Sequence, residues 1–241
     1  VLAAGESRRM RSNLSKLLYP VGGKILVELP VQACFDARVD KVIAVVGHQA
    51  EKVKEVLKER CIYVYQEKRL GTGDALKKAL FLIEDFKGEL LVLPGDAPFV
   101  TGDVLRKLLD YHRKKKVCAT VLTATLEEPG SYGRILRDGQ GFVKGIVEAK
   151  NATEEELKIK EVNSGIYCFD NQKIIKVLPE LKKNSLTGEF YLTDVFEIFY
   201  RMGEKVQALV TEDKKVVLGI NTPEDFEKVS RLYTQKNKKM G

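Results

Sequence analysis

The sequence predicts an α/β fold built on a doubly wound sheet, with a β-rich subregion inserted in its second half. Three observations predict it. Through the first half, short runs rich in Val, Ile and Leu alternate with helical patterns, the signature of parallel βαβ units. Past residue 116 the apolar runs become closely spaced strands separated by turn chemistry, Asp138-Gly139 and Gly141 among it. Finally, 241 residues with 44% hydrophobic content suffice for one large domain or two small ones.

The expected strands of the first half are residues 1–4, 42–47, 62–66 and 90–94, each bounded by Gly or polar residues. Helices are expected over 25–39, 50–60, 72–85 and 102–115. Within 50–60, Val53, Val56 and Leu57 recur at the i, i+3, i+4 spacing of an amphipathic helix. In the second half, 117–125, 134–137, 142–148 and 164–169 read as strands. Helices near 172–182 and 192–202 follow, then strands near 206–210 and 216–220. A last helix starts at Pro223, with Thr222 as its N-cap and proline in the first helical position. No repeat, low-complexity linker or domain break interrupts this order.

Composition removes several function classes. No apolar run approaches the ~18 residues of a membrane span, and no secretory leader opens the chain. The first residues run straight into a glycine turn, so a few native residues are expected to precede Val1. Cys34, Cys61, Cys118 and Cys168 are far apart without metal-ligand spacing and read as small buried hydrophobes of a cytoplasmic protein. The net charge of +7 gathers in segments such as Arg113-Lys114-Lys115-Lys116 and the tail Lys236-Asn237-Lys238-Lys239. No aromatic residues alternate with those lysines, so nucleic acid is not expected as a partner. A basic balance suits polyanionic substrates. His48 reads as a turn residue and His112 as an exposed residue of a basic helix, which leaves no zinc site or Ser-His-Asp triad.

The segment Leu2-Ala3-Ala4-Gly5-Glu6-Ser7-Arg8-Arg9-Met10 carries the strongest chemical signal. A buried strand ends in small residues and Gly5, where a tight turn presents bare N–H groups to phosphate oxygens. Arg9 and Lys16 add positive charge behind it. A second strand end, Gln66, leads through Arg69-Leu70-Gly71-Thr72 into a helix. The Gln66 amide offers donor and acceptor to a pyrimidine edge, Gly71 permits close backbone approach, and Thr72 can cap the helix. In Leu93-Pro94-Gly95-Asp96-Ala97-Pro98 a carboxylate follows a buried strand, where open α/β sheets bind ligands. Asp96 is a hard donor suited to Mg²⁺.

These segments resemble the sugar-1-phosphate nucleotidyltransferases, whose signature reads Leu-Ala-Ala-Gly-x-Gly-Thr-Arg-Met followed by a Lys. Ser7-Arg8 departs from Gly-Thr, Asp74 stands where the family often has His, and Arg69 where some members have Gln. Further matches follow in family order: Ser131-Tyr132-Gly133-Arg134-Ile135, Ile146-Val147-Glu148-Ala149-Lys150-Asn151-Ala152, Glu161-Val162-Asn163-Ser164-Gly165-Ile166-Tyr167 and Gly188-Glu189-Phe190-Tyr191-Leu192-Thr193-Asp194. The last match, Gly219-Ile220-Asn221, resembles the family's Gly-Val-Asn. The wording is most similar to the bacterial N-acetylglucosamine-1-phosphate uridylyltransferases, the pyrophosphorylase domain of a bifunctional enzyme.

The resemblance implies a Rossmann-like nucleotidyltransferase domain over 1–228, with a nucleotide-binding half (about 1–116) and a sugar-binding half (about 117–228). Residues 229–241 would form a helical linker toward an absent β-helix domain, which trimerises and acetylates in full-length members. The chain would then be a piece of such a protein or a stand-alone enzyme. Uridylyl transfer from UTP to N-acetylglucosamine 1-phosphate is implied, with Mg²⁺ as cofactor. Arg9 and Lys16 would be catalytic. Leu2, Ala3, Ala4, Gly5, Gln66, Gly71 and Thr72 would hold the nucleotide, and Gly133, Glu148 and Asn163 the sugar. Asp96 and Asn221 would bind the metal, and the 188–194 segment would be structural. Glucose-1-phosphate uridylyl- or thymidylyl transfer, cytidylyl transfer to a polyol phosphate, and a non-catalytic nucleotide-sugar binder remain as alternatives.

Overall fold

The computed structural model describes residues 1–6, 8–10 and 12–238; the side chains of Arg8 and of residues 236–238 are outside that description. Residue contacts divide the chain into two compact units. One comprises residues 1–69, 93–106 and 218–241, the other 70–92 and 107–217. Among the described residues no helix is long and apolar enough to cross a membrane.

The first unit is organised by three parallel strands, Leu2–Ala3, Ile43–Val46 and Ile62–Tyr65, with Ile43–Val46 in the middle. The central strand Ile43–Val46 is apolar throughout, as a buried parallel strand requires, while Ile62–Tyr65 lies at the edge with Ile62 and Tyr65 exposed. The 93–95 segment extends this order beside the first strand: the Leu2 N–H donates to the Leu93 carbonyl at 2.9 Å, and the Gly95 N–H donates to the Leu2 carbonyl at 2.9 Å. Ala4, Gly47, Gln66 and Asp96 therefore all follow the carboxyl ends of parallel segments, where open α/β sheets present ligands. Helices Glu28–Asp36, Ala50–Leu57 and Pro223–Lys238 belong to this unit.

Helix Pro223–Lys238 is anchored by a core cluster that joins Ile220 and Val229 to Met10, Val21, Leu26, Leu29 and Phe99. Its Phe226 meets Tyr19 edge-on, with ring centroids 5.3 Å apart. Its start is as expected: Thr222 Oγ1 accepts from the Asp225 N–H at 3.2 Å, and Asp225 Oδ2 accepts from the Thr222 N–H at 3.0 Å. The helix expected over 25–39 is shorter, because Lys24–Ile25 pairs with Pro20–Val21 across a Gly22-Gly23 turn with φ of 60° and 85°. Two residues of positive φ make that hairpin, and glycine adopts them without strain.

The second unit holds a six-stranded mixed sheet. Ala119–Thr125 pairs in parallel with Val206–Val210 and antiparallel with the ten-residue strand Glu161–Asp170. That long strand changes partners along its length. Val162 pairs with Arg134 of the strand Arg134–Arg137, which continues to Val143–Val147, while Tyr167 to Asp170 pair with Glu89–Val92. The change coincides with a register shift between Asn163 and Tyr167. Tyr167, Phe169 and Phe196 pack as an aromatic trio at centroid distances of 5.3–5.7 Å.

Several local expectations are corrected. The segment near 216–220 contains a 3-10 turn, Lys214–Val217, in place of a strand; a short apolar run fits either. The helix expected over 72–85 divides into Thr72–Lys78 and Leu80–Ile83. Thr72 does not cap it. Gly71 takes the N-cap position, and the Thr72 hydroxyl accepts from the Leu192 N–H at 3.0 Å. His112 is buried at 4% exposure, with Nδ1 2.9 Å from Thr120 Oγ1, and burial lowers its pKa. Cys34, Cys118 and Cys168 are buried free thiols, and burial pushes Cys34 up to about 11 and Cys118 to about 12, which makes them unreactive.

Candidate active site

In the first unit the turn after Leu2–Ala3 is held from beneath by close backbone packing. A Cβ on Gly47 would lie 2.9 Å from the Ala4 carbonyl, and one on Gly95 would lie 3.2 Å from the Leu2 carbonyl. Sequence reading passed over Gly47, although a glycine ending a buried strand signals close backbone approach. Leu2 commits both backbone groups to the 93–95 segment, so its part is to fix the turn. Gly5 is exposed, with open space where a Cβ would stand. Ser7, Arg11 and the Arg8 side chain lie outside the described residues, and with Ser7 and that side chain the departure from the family's Gly-Thr.

Four of the expected residues meet around one point. The Lys16 ammonium donates to Asp96 Oδ2 and, at 2.9 Å, to Asn221 Oδ1. The Arg9 guanidinium donates to the same Asn221 oxygen at 3.0 Å. The side chains of Lys16 and Asp96 are only 13% and 17% exposed. Two cationic donors at one atom fix the carboxamide orientation, since the NH₂ group would repel both. The Asn221 backbone is fixed as well, its N–H donating to Asp225 Oδ2 at 3.0 Å. Gly219 passes beside Asp96, where a Cβ would be 3.5 Å from Oδ2.

This arrangement bears on a divalent cation. A carboxylate and a carboxamide oxygen converge on a single positive charge, the Lys16 ammonium, which stands in for a cation there. Two hard protein oxygens, completed by substrate phosphates and water, fit the needs of Mg²⁺. Among the described residues there is no group of three or more His, Cys, Asp or Glu that could hold a metal by itself.

Gln66 follows Ile62–Tyr65 and is 3% exposed, its N–H donating to the Val46 carbonyl at 2.8 Å. In the same unit Arg69 pairs with Glu6 at 3.1 Å, joining the segment after Gln66 to the glycine turn. Gly71 and Thr72 belong to the second unit. Gly71 has φ of 96° and packs so closely that a Cβ would stand 2.5 Å from the Phe190 carbonyl.

The second unit brings Gly133 and Asn163 together, the Asn163 N–H donating to the Gly133 carbonyl at 2.9 Å. Asn163 Nδ2 donates to the Tyr167 hydroxyl at 2.9 Å. Glu148 accepts from the Thr193 hydroxyl at 3.2 Å. Burial raises the Glu148 pKa, and the Thr193 bond and then Lys150 offset part of that rise. Burial and the charges of Glu197 and Glu148 push Asp194 up to about 6. A cavity of about 450 Å³ is lined by Glu148, Asn151, Tyr191, Asp194 and Glu197, among others. Thr193 and Tyr167 were not singled out from sequence as site residues.

A glycine turn at the carboxyl ends of parallel strands, two cations and a carboxylate beside a carboxamide form an arrangement whose charges suit a polyanionic ligand. The sequence matches the family model described as nucleotidyl transferase over residues 1–237, and the chain belongs to that family of enzymes. Its particular likeness is to bacterial proteins named bifunctional protein GlmU. It is 44% identical over 232 residues to that of Acetivibrio thermocellus, covering 96% of this chain and 50% of the relative. With that of Lactobacillus johnsonii it shares 45% over 221 residues, covering 92% and 48%. With that of Pediococcus pentosaceus it shares 41% over 236 residues, covering 98% and 50%. The resemblance read from the motifs is thus borne out, and the chain spans about half the length of these curated relatives.

Solved structures extend the likeness of fold. A UDP-glucose pyrophosphorylase complexed with UDP-glucose superposes with a TM-score of 0.77 at 19% identity, covering 98% of this chain and 97% of that one. An apo UDP-glucose pyrophosphorylase gives 0.80 at 20%, covering 98% of each chain. The mixed α/β fold of the nucleotidyltransferase type is accordingly the one expected.

Proposed function

We propose that the chain transfers a uridylyl group from UTP to N-acetylglucosamine 1-phosphate, releasing pyrophosphate, in a reaction that depends on Mg²⁺. The observation that carries this reading is the convergence of Lys16, Asp96 and Asn221 at the carboxyl ends of parallel strands. The sugar phosphate oxygen attacks the α-phosphorus in line, and the pyrophosphate leaves from the opposite side. Two polyanions must approach, so the protein's work is positioning and charge neutralisation. Asp96 and Asn221 would hold the metal, which supplies Lewis-acid neutralisation of the reacting phosphates when bound. Arg9 takes the charge of the departing phosphates, and Lys16 the charge of the reacting ones. Ala3, Ala4 and Gly5 offer backbone to the nucleotide, and Gln66, Gly71 and Thr72 recognise the base. Gly133, Glu148 and Asn163 take the sugar.

The likeness to bifunctional GlmU proteins supports the amino-sugar substrate and, with it, the reading of a cytoplasmic enzyme of nucleotide-sugar synthesis that feeds cell-wall precursors. The test is a matrix of nucleoside triphosphates against sugar 1-phosphates, read by pyrophosphate release with and without Mg²⁺. The UTP and N-acetylglucosamine 1-phosphate pair should give the highest kcat/KM, and only with Mg²⁺. A higher value for glucose 1-phosphate or for dTTP would replace the substrate assignment. Nucleotide binding without any pyrophosphate release would replace the enzymatic reading.

A further inference from the structure

Lys16 opens a 3-10 turn, Lys16–Leu18, that anchors it from its carboxyl side. The Leu18 N–H donates to the Ser15 carbonyl at 2.9 Å, and the Tyr19 N–H donates to the Lys16 carbonyl at 3.1 Å. The Val27 N–H donates to the carbonyl of buried Leu17 at 3.1 Å. From its amino side the lysine is anchored by a side chain remote in sequence. Gln49 Nε2 donates to the Asn13 carbonyl at 2.5 Å, and Gln49 Oε1 accepts from the Ser15 N–H at 3.0 Å. A carbonyl only accepts and a backbone N–H only donates, so the carboxamide fits this segment in one orientation.

The Gln49 backbone is tied to the glycine turn. Its carbonyl accepts from the Val53 N–H at 3.2 Å at the start of helix Ala50–Leu57, and the Ala50 N–H donates to the Gly47 carbonyl at 3.1 Å. Gly47 in turn rests against Ala4. Gln49 therefore links Lys16 to the turn that follows Leu2–Ala3. It does so at φ of 54° and ψ of 38°, a left-handed conformation that is unfavourable for any residue carrying a Cβ. The helix start does not call for glutamine there. Its side chain caps no helix N–H, and glycine would adopt the same backbone freely. A strained backbone that persists under such conditions points to a use for the side chain.

We propose that Gln49 is the positioning residue that fixes the Lys16 backbone for the reacting phosphates. The proposal rests on the reading of Lys16 as catalytic. The Lys16 ammonium ends a flexible stem and has to exchange Asp96 and Asn221 for phosphate oxygens. A backbone anchored on both sides confines that movement to the side chain. Anchored on one side, it pivots about the 3-10 turn and spreads the ammonium over positions that miss the transition state. Misplacement by about 1 Å can cost on the order of a hundredfold in rate. The loss falls on the chemical step more than on UTP binding, which Arg9 and the glycine turn share.

The test is a double-mutant cycle of Gln49→Gly and Lys16→Met, read as single-turnover rates with saturating UTP and N-acetylglucosamine 1-phosphate. Gln49→Gly removes both hydrogen bonds and relieves the left-handed backbone. Its rate should fall roughly tenfold, with half-saturating UTP changed by less than about twofold. In the Lys16→Met background the same substitution should change the rate by less than about twofold, because the group it positions is gone. Gln49→Asn tolerates the left-handed backbone but is one methylene too short to span Asn13 and Ser15; it replaces Gln49→Gly if that variant fails to fold. An equal loss in both backgrounds would mean a general structural defect and would overturn the proposal. So would a single-mutant rate within about twofold of wild type, provided Lys16→Met is impaired. An unimpaired Lys16→Met would overturn the catalytic role of Lys16, and this proposal with it. No turnover by wild type with any triphosphate and sugar 1-phosphate would overturn the functional reading as a whole.

Discussion

The Lys16 ammonium lies 2.9 Å from Asn221 Oδ1 while also donating to the Asp96 carboxylate, so one side chain occupies the point where two metal-type oxygens converge. On the proposed mechanism this lysine has to leave those oxygens when a divalent cation and phosphates arrive. Lys16→Met should cost on the order of a hundredfold in turnover, as loss of a transition-state charge partner does. The same variant should bind Mn²⁺ more tightly than wild type without nucleotide, because Asp96 loses its cationic partner and Asn221 Oδ1 keeps only Arg9. Electron paramagnetic resonance titration reads that binding without any turnover. Equal or weaker Mn²⁺ binding would rule out the competition.

The Thr193 hydroxyl reaches Glu148 at 3.2 Å and offsets part of the rise that burial imposes on that carboxyl. If ionised Glu148 accepts from sugar hydroxyls, Thr193→Val should raise its pKa further. The acid limb of kcat/KM for the sugar phosphate should then move to higher pH, and the limb for UTP should stay where it is. A pH profile at saturating UTP measures the shift, and an unmoved limb would contradict the role given to Glu148.

Asp194 has the opposite sign from a salt-bridged aspartate. Its carboxyl ionises near 3.8 when unfolded and at about 6 when folded, because burial and neighbouring carboxylates disfavour its charge. Between those values the folded state holds the extra proton, so stability falls as pH rises from about 4 to about 6. Asp194→Asn should therefore stabilise by about 1 kcal/mol at pH 8, after allowance for partial exposure, and by little at pH 4. Urea midpoints at the two pH values test it; equal gains at both would show that the charge is not the cause.

Gly71 combines φ of 96° with the Phe190 carbonyl 2.5 Å from where a Cβ would stand. Two backbone bonds lie beside it, from the Phe190 N–H to the Leu70 carbonyl at 2.7 Å and from the Gly73 N–H to the Phe190 carbonyl at 2.8 Å. Gly71→Ala should destabilise by about 2–4 kcal/mol, through conformational strain and through displaced backbone that no side-chain rotation relieves. Chemical denaturation gives the value. A loss under 0.5 kcal/mol would mean that the loop yields freely.

Much of the fold was legible because buried parallel strands announce themselves as short apolar runs ending in glycine, as at Ala4-Gly5 and Val46-Gly47. The meeting of Arg9, Lys16, Asp96 and Asn221 was anticipated from motif order, although no local pattern places residues so far apart in sequence near one atom. What escaped was decided by tertiary packing. His112 looked exposed because basic residues follow it, yet it shares a face with Leu105 and Leu108, which are fully buried. The spacing i, i+3, i+7 carried that information, and the charge run obscured it. Thr72 had the composition of a cap, but its hydroxyl is taken by Leu192, a partner remote in sequence. The Asn163–Tyr167 hydrogen bond spans a bulge, and a bulge is invisible in a strand pattern until the partner strands are known.

The Lys16–Asn221 contact joins residues 205 positions apart, and the unit that contains it is built from three separated stretches of chain. A ribosome therefore releases Arg9, Lys16 and Asp96 well before the asparagine that completes their arrangement. Until residue 221 emerges, the nascent protein holds a lysine and an arginine lacking a shared acceptor, and Met10 and Phe99 lacking the cover of Ile220 and Val229. On the proposed mechanism, competence for catalysis therefore waits for residue 221 to emerge, and a ribosome-bound fragment stopped short of Asn221 has an unfinished anion-handling centre.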